Sequence, residues 1–77
     1  GGAGFIGSNL VAYLRARRPA WRLVVLDLLT YAGNLLNLRS FLDDGTVTFS
    51  HGDIGDRALV EALWAEHAFD GVFHLAA

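Results

Sequence analysis

The first candidate functional residues are regularly spaced glycines at the start of the chain. Gly1, Gly4 and Gly7 form the pattern G-x-x-G-x-x-G ahead of an apolar stretch with helical spacing. A backbone that turns sharply from a strand into a helix and lies against a pyrophosphate needs residues without a Cβ at such positions. The helix N-terminus then offers free N–H groups and a partial positive charge to phosphate oxygens. The pattern predicts a phosphate-binding turn, although a purely structural turn can use the same residues.

An acidic residue lies where a dinucleotide site would need one. Asp27 follows the apolar run 23–26, and it comes 20 residues after Gly7. A carboxylate at the end of the second strand accepts a hydrogen bond from a ribose 2′-hydroxyl and repels a 2′-phosphate. The turn, the spacing and the strand together predict a site for NAD rather than NADP. The alternative is that Asp27 only ends a strand.

Along the chain, sequence patterns typical of helices alternate with patterns typical of strands. Continuous apolar runs are typical of parallel strands covered on both faces, and 3.6-residue spacing is typical of helices. The first predicted helix carries Ile6, Leu10, Val11 and Leu14 and is stopped by Pro19, and a strand over 23–26 follows it. A short helix over 35–42, capped by Asn34, leads through a turn at 43–45 into a strand at Val47 and Phe49. After a loop over 51–55 come a helix capped by Asp56, with Leu59, Val60, Leu63 and Trp64, and a last strand over 72–75.

This alternation predicts an α/β fold, part of a Rossmann doubly wound parallel sheet. In the strand order 3-2-1-4, a strand ahead of Gly1 would lie between the strands at 23–26 and 72–75. The chain contains no Met and starts inside the glycine motif. We therefore expect residues 1–77 to be the N-terminal part of an NAD-binding domain, without its first strand and without a C-terminal substrate half.

Composition excludes several classes of function. The net charge is −2 with no lysine, which gives no basic surface for nucleic acid. No apolar run approaches the roughly 20 residues that span a bilayer, so we expect a cytoplasmic protein that binds neither nucleic acid nor membrane. There is no cysteine, and His51, His67 and His74 lack the spacing of metal ligands. We expect His74 to be a packed core residue at a strand end, and Trp21 and Trp64 to be helix-edge and core residues.

Three stretches carry a family resemblance along the whole chain. Residues 1–9, GGAGFIGSN, resemble the nucleotide-sugar branch of the extended short-chain dehydrogenases/reductases. The loop 29–35, LTYAGNL, strongly resembles the dTDP-glucose 4,6-dehydratase family, and GDI at 52–54 and HLAA at 74–77 fit it in order and spacing. Leu28 departs from the family, in which lysine or a small residue is frequent there, and this departure bears on cofactor affinity at most.

The resemblance implies a role for residues in each stretch, with NAD as the cofactor. Asp53 could instead be an ordinary turn acid, and Thr30 a plain loop residue. It implies that the pyrophosphate lies against the glycines Gly1, Gly4 and Gly7 and the N–H groups of Phe5 and Ile6. At the adenosine end, it implies that the ribose is bound by Asp27, with Thr30, Ala32 and Gly33 beside it, and that adenine is bound by Asp53 and Ile54. The resemblance also places Leu75, Ala76 and Ala77 under the cofactor, towards the nicotinamide ribose.

The resemblance also implies a reaction for the full-length parent, a homodimer acting on a nucleotide sugar. Hydride leaves the sugar C4, water is lost across C5 and C6, and hydride returns to C6. The family's catalytic Y-x-x-x-K does not occur in the chain, so no catalytic residue is assigned. The alternatives are an NAD-dependent sugar-nucleotide 4-epimerase or decarboxylase, and a non-catalytic NAD-binding protein on the same fold. Two acids after the active-site Ser/Thr of the parent would indicate elimination.

The expected lack of a first strand has a consequence for the stability of the chain. Without a strand between those at 23–26 and 72–75, backbone groups in the middle of a sheet lack partners. We therefore expect the 77 residues alone to be at best marginally folded and to bind NAD weakly or not at all. Calorimetric titration with NAD measures this directly, and a micromolar dissociation constant for the isolated chain would contradict it.

Overall fold

The computed structural model describes residues 1–29 and 35–76 as helices, strands and connecting loops. Helices and strands alternate along the chain, as the sequence predicts. The elements are α1 (Phe5–Arg17), β1 (Leu23–Asp27), a 3-10 helix (Leu35–Leu38), α2 (Arg39–Asp43), β2 (Val47–His51) and α3 (Arg57–His67).

β1 and β2 form a parallel two-stranded sheet. Their register pairs Leu23 with Val47 at one end and Asp27 with His51 at the other. The ladder continues one step further, because the N–H of Gly52 donates to the carbonyl of Asp27 at 3.1 Å. Parallel strands need a long crossover connection, and the 3-10 helix and α2 lie in that connection. The fold is therefore α/β with a parallel sheet, as predicted, and the loops after both strands start at the same sheet edge.

The core lies directly beneath the glycine turn. Its buried members come from the turn, from α1, from both strands and from the 3-10 helix: Ala3, Val11, Val25, Leu38 and Val47. Ala3 and Leu38 are fully buried. Burial of apolar surface between the turn and the crossover segment therefore fixes the turn against the sheet.

The apolar positions of α1 are not equally buried. Val11 and Leu14 face the core, whereas Ile6 in the first turn is 75% exposed. The predicted end of this helix is confirmed, since α1 stops at Arg17, ahead of Pro19.

The second predicted helix forms in two parts. It begins as the 3-10 helix and continues as the short α2, and its predicted cap, Asn34, lies outside the described residues. After α2 the chain reverses at Gly45, whose φ of 76° lies in the left-handed region. The carboxylate of Asp44 accepts hydrogen bonds from the N–H and hydroxyl of Thr46 at 3.0 and 2.7 Å, which closes the turn into β2.

The third helix confirms one prediction and contradicts another. The Asp56 side chain accepts a hydrogen bond from the N–H of Leu59 at 3.1 Å, so it caps α3 as expected. Within the described chain, however, no residue of α3 is buried. Trp64 is 46% exposed, so its assignment to the core is wrong; its ring packs edge-on against Phe69 instead. His51, predicted in a loop, is the last residue of β2.

The strand predicted over residues 72–75 is not formed with any part of the chain that the structure describes. Val72 and Phe73 are 65% and 61% exposed, and His74 is exposed as well, so the prediction of a packed core histidine is also wrong. The physical reason is that neither strand of the described sheet pairs with this segment. In the expected strand order this segment does not neighbour β1, and a strand without hydrogen-bonded neighbours is not stable.

Candidate functional site

The first turn of α1 offers N–H groups that the described chain leaves without an acceptor. Gly4 is the N-cap residue, with an extended backbone (φ −74°, ψ 177°) and no side-chain cap. The first helical hydrogen bond runs from Ser8 N–H to the Gly4 carbonyl at 2.8 Å. The N–H groups of Phe5, Ile6 and Gly7 therefore point out of the helix end. No acidic residue lies in this turn, so its partial positive charge is available to an external anion.

The glycines of the motif have different reasons to be glycine. A Cβ on Gly7 would overlap the Gly1 carbonyl oxygen, and a Cβ on Gly2 would overlap the Val25 side chain. Both therefore allow the helix and the strand to pack closely. Gly4 differs, because the nearest atom to a Cβ there is the Gly1 carbonyl oxygen at 3.4 Å. The space in front of the helix N-terminus is thus open at Gly4, where a ligand would approach.

Asp27 lies beside this turn, at the carboxyl end of β1. It is only 8% exposed. Its Oδ2 accepts the N–H of Ala3 at 3.0 Å, and its Oδ1 accepts the N–H of Leu29 at 2.8 Å. The amino nitrogen of Gly1 lies 3.3 Å from the same Oδ2. The carboxylate therefore joins the glycine turn to the loop that follows β1.

These contacts decide the charge state of Asp27. Burial by itself raises the pKa of the carboxyl, but the hydrogen bonds from the N–H groups of Leu29 and Ala3 lower it. The net result is a pKa below the ordinary value of an aspartate. Asp27 is accordingly an anion at neutral pH, and it can accept further hydrogen bonds but cannot donate one.

The loop after β2 meets the end of β1 at the same edge of the sheet. The imidazole Nε2 of His51 lies 2.9 Å from the Leu28 carbonyl oxygen; a carbonyl only accepts, so this nitrogen carries the proton. Asp53 and Ile54 follow in this loop, and both are exposed. The Oδ1 of Asp53 accepts the N–H of Gly55 at 2.8 Å. Asp53 therefore acts as a turn acid, and its contact with adenine stays a prediction.

The end of the described chain passes beside the glycine turn. A Cβ on Gly1 would lie 2.7 Å from the carbonyl carbon of Leu75 and 3.0 Å from the nitrogen of Ala76. The structure thus brings together the turn, Asp27 and two of the three predicted residues from the C-terminal stretch. The remaining predicted site residues lie outside the described part of the chain; they are Thr30, Ala32, Gly33 and Ala77.

Two residues of the site escape prediction from the sequence. Ala3, between the glycines, binds Asp27 through its N–H, and its carbonyl accepts the side-chain Nδ2 of Asn37 at 2.9 Å. A small residue inside a glycine turn is a weak signal for burial. Asn37 carries no signal at all, because its contact depends on how the chain returns 34 residues later.

Other classes of site find no support in residues 1–29 and 35–76. None of the helices there has the length and apolarity that crossing a bilayer requires. Within the same ranges, no three His, Cys, Asp or Glu side chains are grouped as metal ligands.

The lowered pKa of Asp27 predicts how stability depends on pH. A carboxyl with a folded pKa below its unfolded value of about 3.9 stabilises the fold above that pH, and the contribution is lost as the pH falls through the folded pKa. Asp27→Asn should lower the free energy of unfolding at pH 7 by about 1–3 kcal/mol, because one buried N–H loses its acceptor. Its loss of stability below about pH 4 should be shallower than in the wild type.

Urea unfolding of the complete protein at a series of pH values measures both effects. Asp70→Asn, at an exposed position, is the control for removing a carboxylate. Equal pH profiles for the wild type and Asp27→Asn would contradict the role assigned to these hydrogen bonds.

Comparison with known proteins places this geometry in a family. The family model for GDP-mannose 4,6 dehydratase matches residues 1–77. The chain is 52% identical over 77 residues to a dTDP-glucose 4,6-dehydratase of Xanthomonas campestris pv. campestris (strain B100). It is 51% identical over 82 aligned residues to a dTDP-glucose 4,6-dehydratase of Streptomyces antibioticus. Both alignments cover 100% of the chain, but only 21% and 23% of those proteins.

A solved structure of a related enzyme matches the fold of this chain as well. The crystal structure of a dTDP-glucose 4,6-dehydratase from Bacillus anthracis str. Ames in complex with NAD matches with a TM-score of 0.84 and 40% sequence identity. The match covers 88% of this chain and 22% of that one. With its full length matched by the family model, the chain belongs to the GDP-mannose 4,6-dehydratase family.

Proposed function

We propose that residues 1–77 are the NAD-binding front of a nucleotide-sugar 4,6-dehydratase acting on dTDP-glucose. One observation carries the proposal: an uncapped helix N-terminus lies beside a buried, ionised aspartate at the end of the neighbouring strand. The helix end that would bind the anion and the aspartate that would accept from the ribose are thus held by one set of hydrogen bonds. The dTDP-glucose 4,6-dehydratases that match over the whole chain support the substrate class.

The pyrophosphate fits the first turn of α1. Phosphate oxygens need several donors, and the N–H groups of Phe5, Ile6 and Gly7 point out of one helix end without an acceptor in the described chain. Gly4 leaves the space before them open. No side chain is needed for this contact, so backbone geometry alone would bind the anion.

The ribose of the adenosine fits Asp27. The Oδ1 of Asp27 accepts only the N–H of Leu29 and keeps a further lone pair, so the anion can still accept a hydroxyl group. Asp27 is 8% exposed, so only a small edge of the residue is open to a ligand. A 2′-phosphate at that edge would meet a negative charge, which supports NAD over NADP.

The remaining contacts extend the same site. The loop after β2 would place Asp53 against the adenine amino group and Ile54 against the ring, since this loop begins beside the Asp27 carbonyl. The passage of Leu75 and Ala76 beside Gly1 supports their place under the cofactor. Thr30, Ala32, Gly33 and Ala77 complete the proposed set, in a parent that we propose to be a cytoplasmic homodimer.

The chemistry divides between cofactor and protein. NAD, when bound, would accept a hydride from the sugar C4 and return it at C6, with water lost across C5 and C6 in between. The described residues bind and orient the cofactor and exclude a 2′-phosphate. We assign none of the described residues to proton transfer, and the acid, base and sugar contacts would come from the rest of the parent.

The reaction is tested by incubating the complete protein with dTDP-glucose carrying deuterium at C4 and analysing the product by NMR. We expect dTDP-4-keto-6-deoxyglucose with the deuterium transferred to C6. An epimerised or decarboxylated sugar would contradict the proposed reaction while leaving NAD binding intact, and no turnover with NAD bound would favour a binding protein.

The phosphate site is tested by a serine at the helix cap. In Gly4→Ser, the hydroxyl can accept from the N–H of Ile6 or Gly7, which stabilises the helix and occupies the donors. We expect the affinity for NAD to fall by about tenfold or more, with no decrease in thermal stability. Gly71→Ser is the matched control, since nothing lies within 4 Å of a Cβ at Gly71.

Calorimetry on the complete protein gives the affinities, and thermal unfolding without ligand gives the stabilities. Wild-type affinity in Gly4→Ser would mean that the pyrophosphate does not bind at this helix end.

A further inference from the structure

Both backbone polar groups of Ala3 are bound by side chains. Ala3 is fully buried, so its N–H and C=O need partners inside the protein. The N–H donates to Asp27 Oδ2 at 3.0 Å, and the C=O accepts from Asn37 Nδ2 at 2.9 Å. The two partners come from different segments, one from the end of β1 and one from the 3-10 helix. The residue in the middle of the glycine turn is thus held from two sides.

We propose that Asn37 is a positioning residue for the phosphate-binding turn, an inference that rests on the proposed binding of NAD there. The amide of Asn37 holds the carbonyl of the Ala3–Gly4 peptide, and the N–H of the same peptide donates to the Gly1 carbonyl at 3.2 Å. With both ends of this peptide bound, its plane is fixed. That plane sets the direction in which Gly4 leads into α1, and hence where the first N–H groups point.

The role of Asn37 in positioning the turn is distinct from packing in the core. Leu38, the next residue, is fully buried in the same cluster as Ala3 and anchors the 3-10 helix. Asn37 itself is exposed, so its side chain adds little to the core. Its contribution to the turn is therefore carried by one partly buried hydrogen bond.

The surroundings of Asn37 decide which substitutions are informative. The side chain lies at an open groove of about 370 Å³ that α1 and the 3-10 helix form; its lining residues are Phe5, Ser8, Asn9, Ala12 and Asn37. Water can enter an open polar groove and replace a truncated amide, so alanine is a poor test. Asn37→Leu keeps the volume and covers the carbonyl without a donor. Asn37→Asp keeps the shape but sets a carboxylate against the Ala3 carbonyl.

The same groove provides a matched control. Asn9 Nδ2 donates to the carbonyl of Phe5 within α1 at 2.8 Å, whereas Asn37 Nδ2 donates to Ala3 ahead of the helix. Asn9→Leu therefore removes an amide from the same groove without freeing the Ala3 carbonyl. Asn37→Gln is the rescue variant, because it retains the amide donor on a side chain one methylene longer.

The experiment measures the binding of NAD and of adenosine to the complete protein. Adenosine shares the ribose and adenine contacts but has no pyrophosphate, so it reports whether the rest of the site is intact. We expect about a tenfold loss of NAD affinity in Asn37→Leu and Asn37→Asp, with adenosine binding unchanged. Asn37→Gln should recover most of the loss, and Asn9→Leu should bind both ligands like the wild type.

Each other outcome overturns the proposal in a distinct way. Wild-type NAD affinity in both Asn37 variants would show that the turn needs no such support. Equal losses for NAD and adenosine, or unfolding of both variants but not of Asn9→Leu, would make Asn37 a purely structural residue. If the wild-type protein itself binds no NAD, the proposed function fails and this inference falls with it.

Discussion

The carboxylate of Asp27 holds the described site together through two backbone hydrogen bonds. One oxygen accepts from Ala3 in the glycine turn and the other from Leu29 in the loop after β1. The cost of burying this charge is met because both oxygens have donors, which is the condition for a stable buried anion. The turn, the sheet edge and the negative charge for the ribose therefore depend on a single side chain. In the proposed NAD site, changing it would alter the position of the phosphate-binding turn as well as the choice of cofactor.

The glycine turn shows how packing and binding divide one short motif. Gly2 and Gly7 are required by the protein itself, since a Cβ there would overlap Val25 or the Gly1 carbonyl. Packing does not require a glycine at Gly4, whose surroundings leave room for a side chain, but the proposed pyrophosphate site would. The uncapped N-terminus of α1 is costly to leave without acceptors, and the proposed phosphate would supply them. A motif read as one unit thus contains two separable functions.

The sequence predicts the site where its geometry is local. The glycine spacing, the run that becomes β1, Asp27 at its end and the Asp56 cap all depend on neighbours within a few residues, and the structure has them as expected. The strand over 72–75 depends instead on a neighbouring strand, and apolar composition alone could not supply one. Asn37 was missed for a related reason, since its partner lies 34 residues away. Long-range contacts leave no periodic trace in a single sequence.

We propose that the first turn of α1 binds the pyrophosphate of NAD through backbone N–H groups. Amide chemical shifts of the complete protein, recorded by NMR during titration with NAD and then with adenosine, test it most directly. We expect NAD to produce its largest shifts at Phe5, Ile6 and Gly7, and adenosine to leave these three amides nearly unchanged. Saturable NAD binding with no shift at these amides would contradict it.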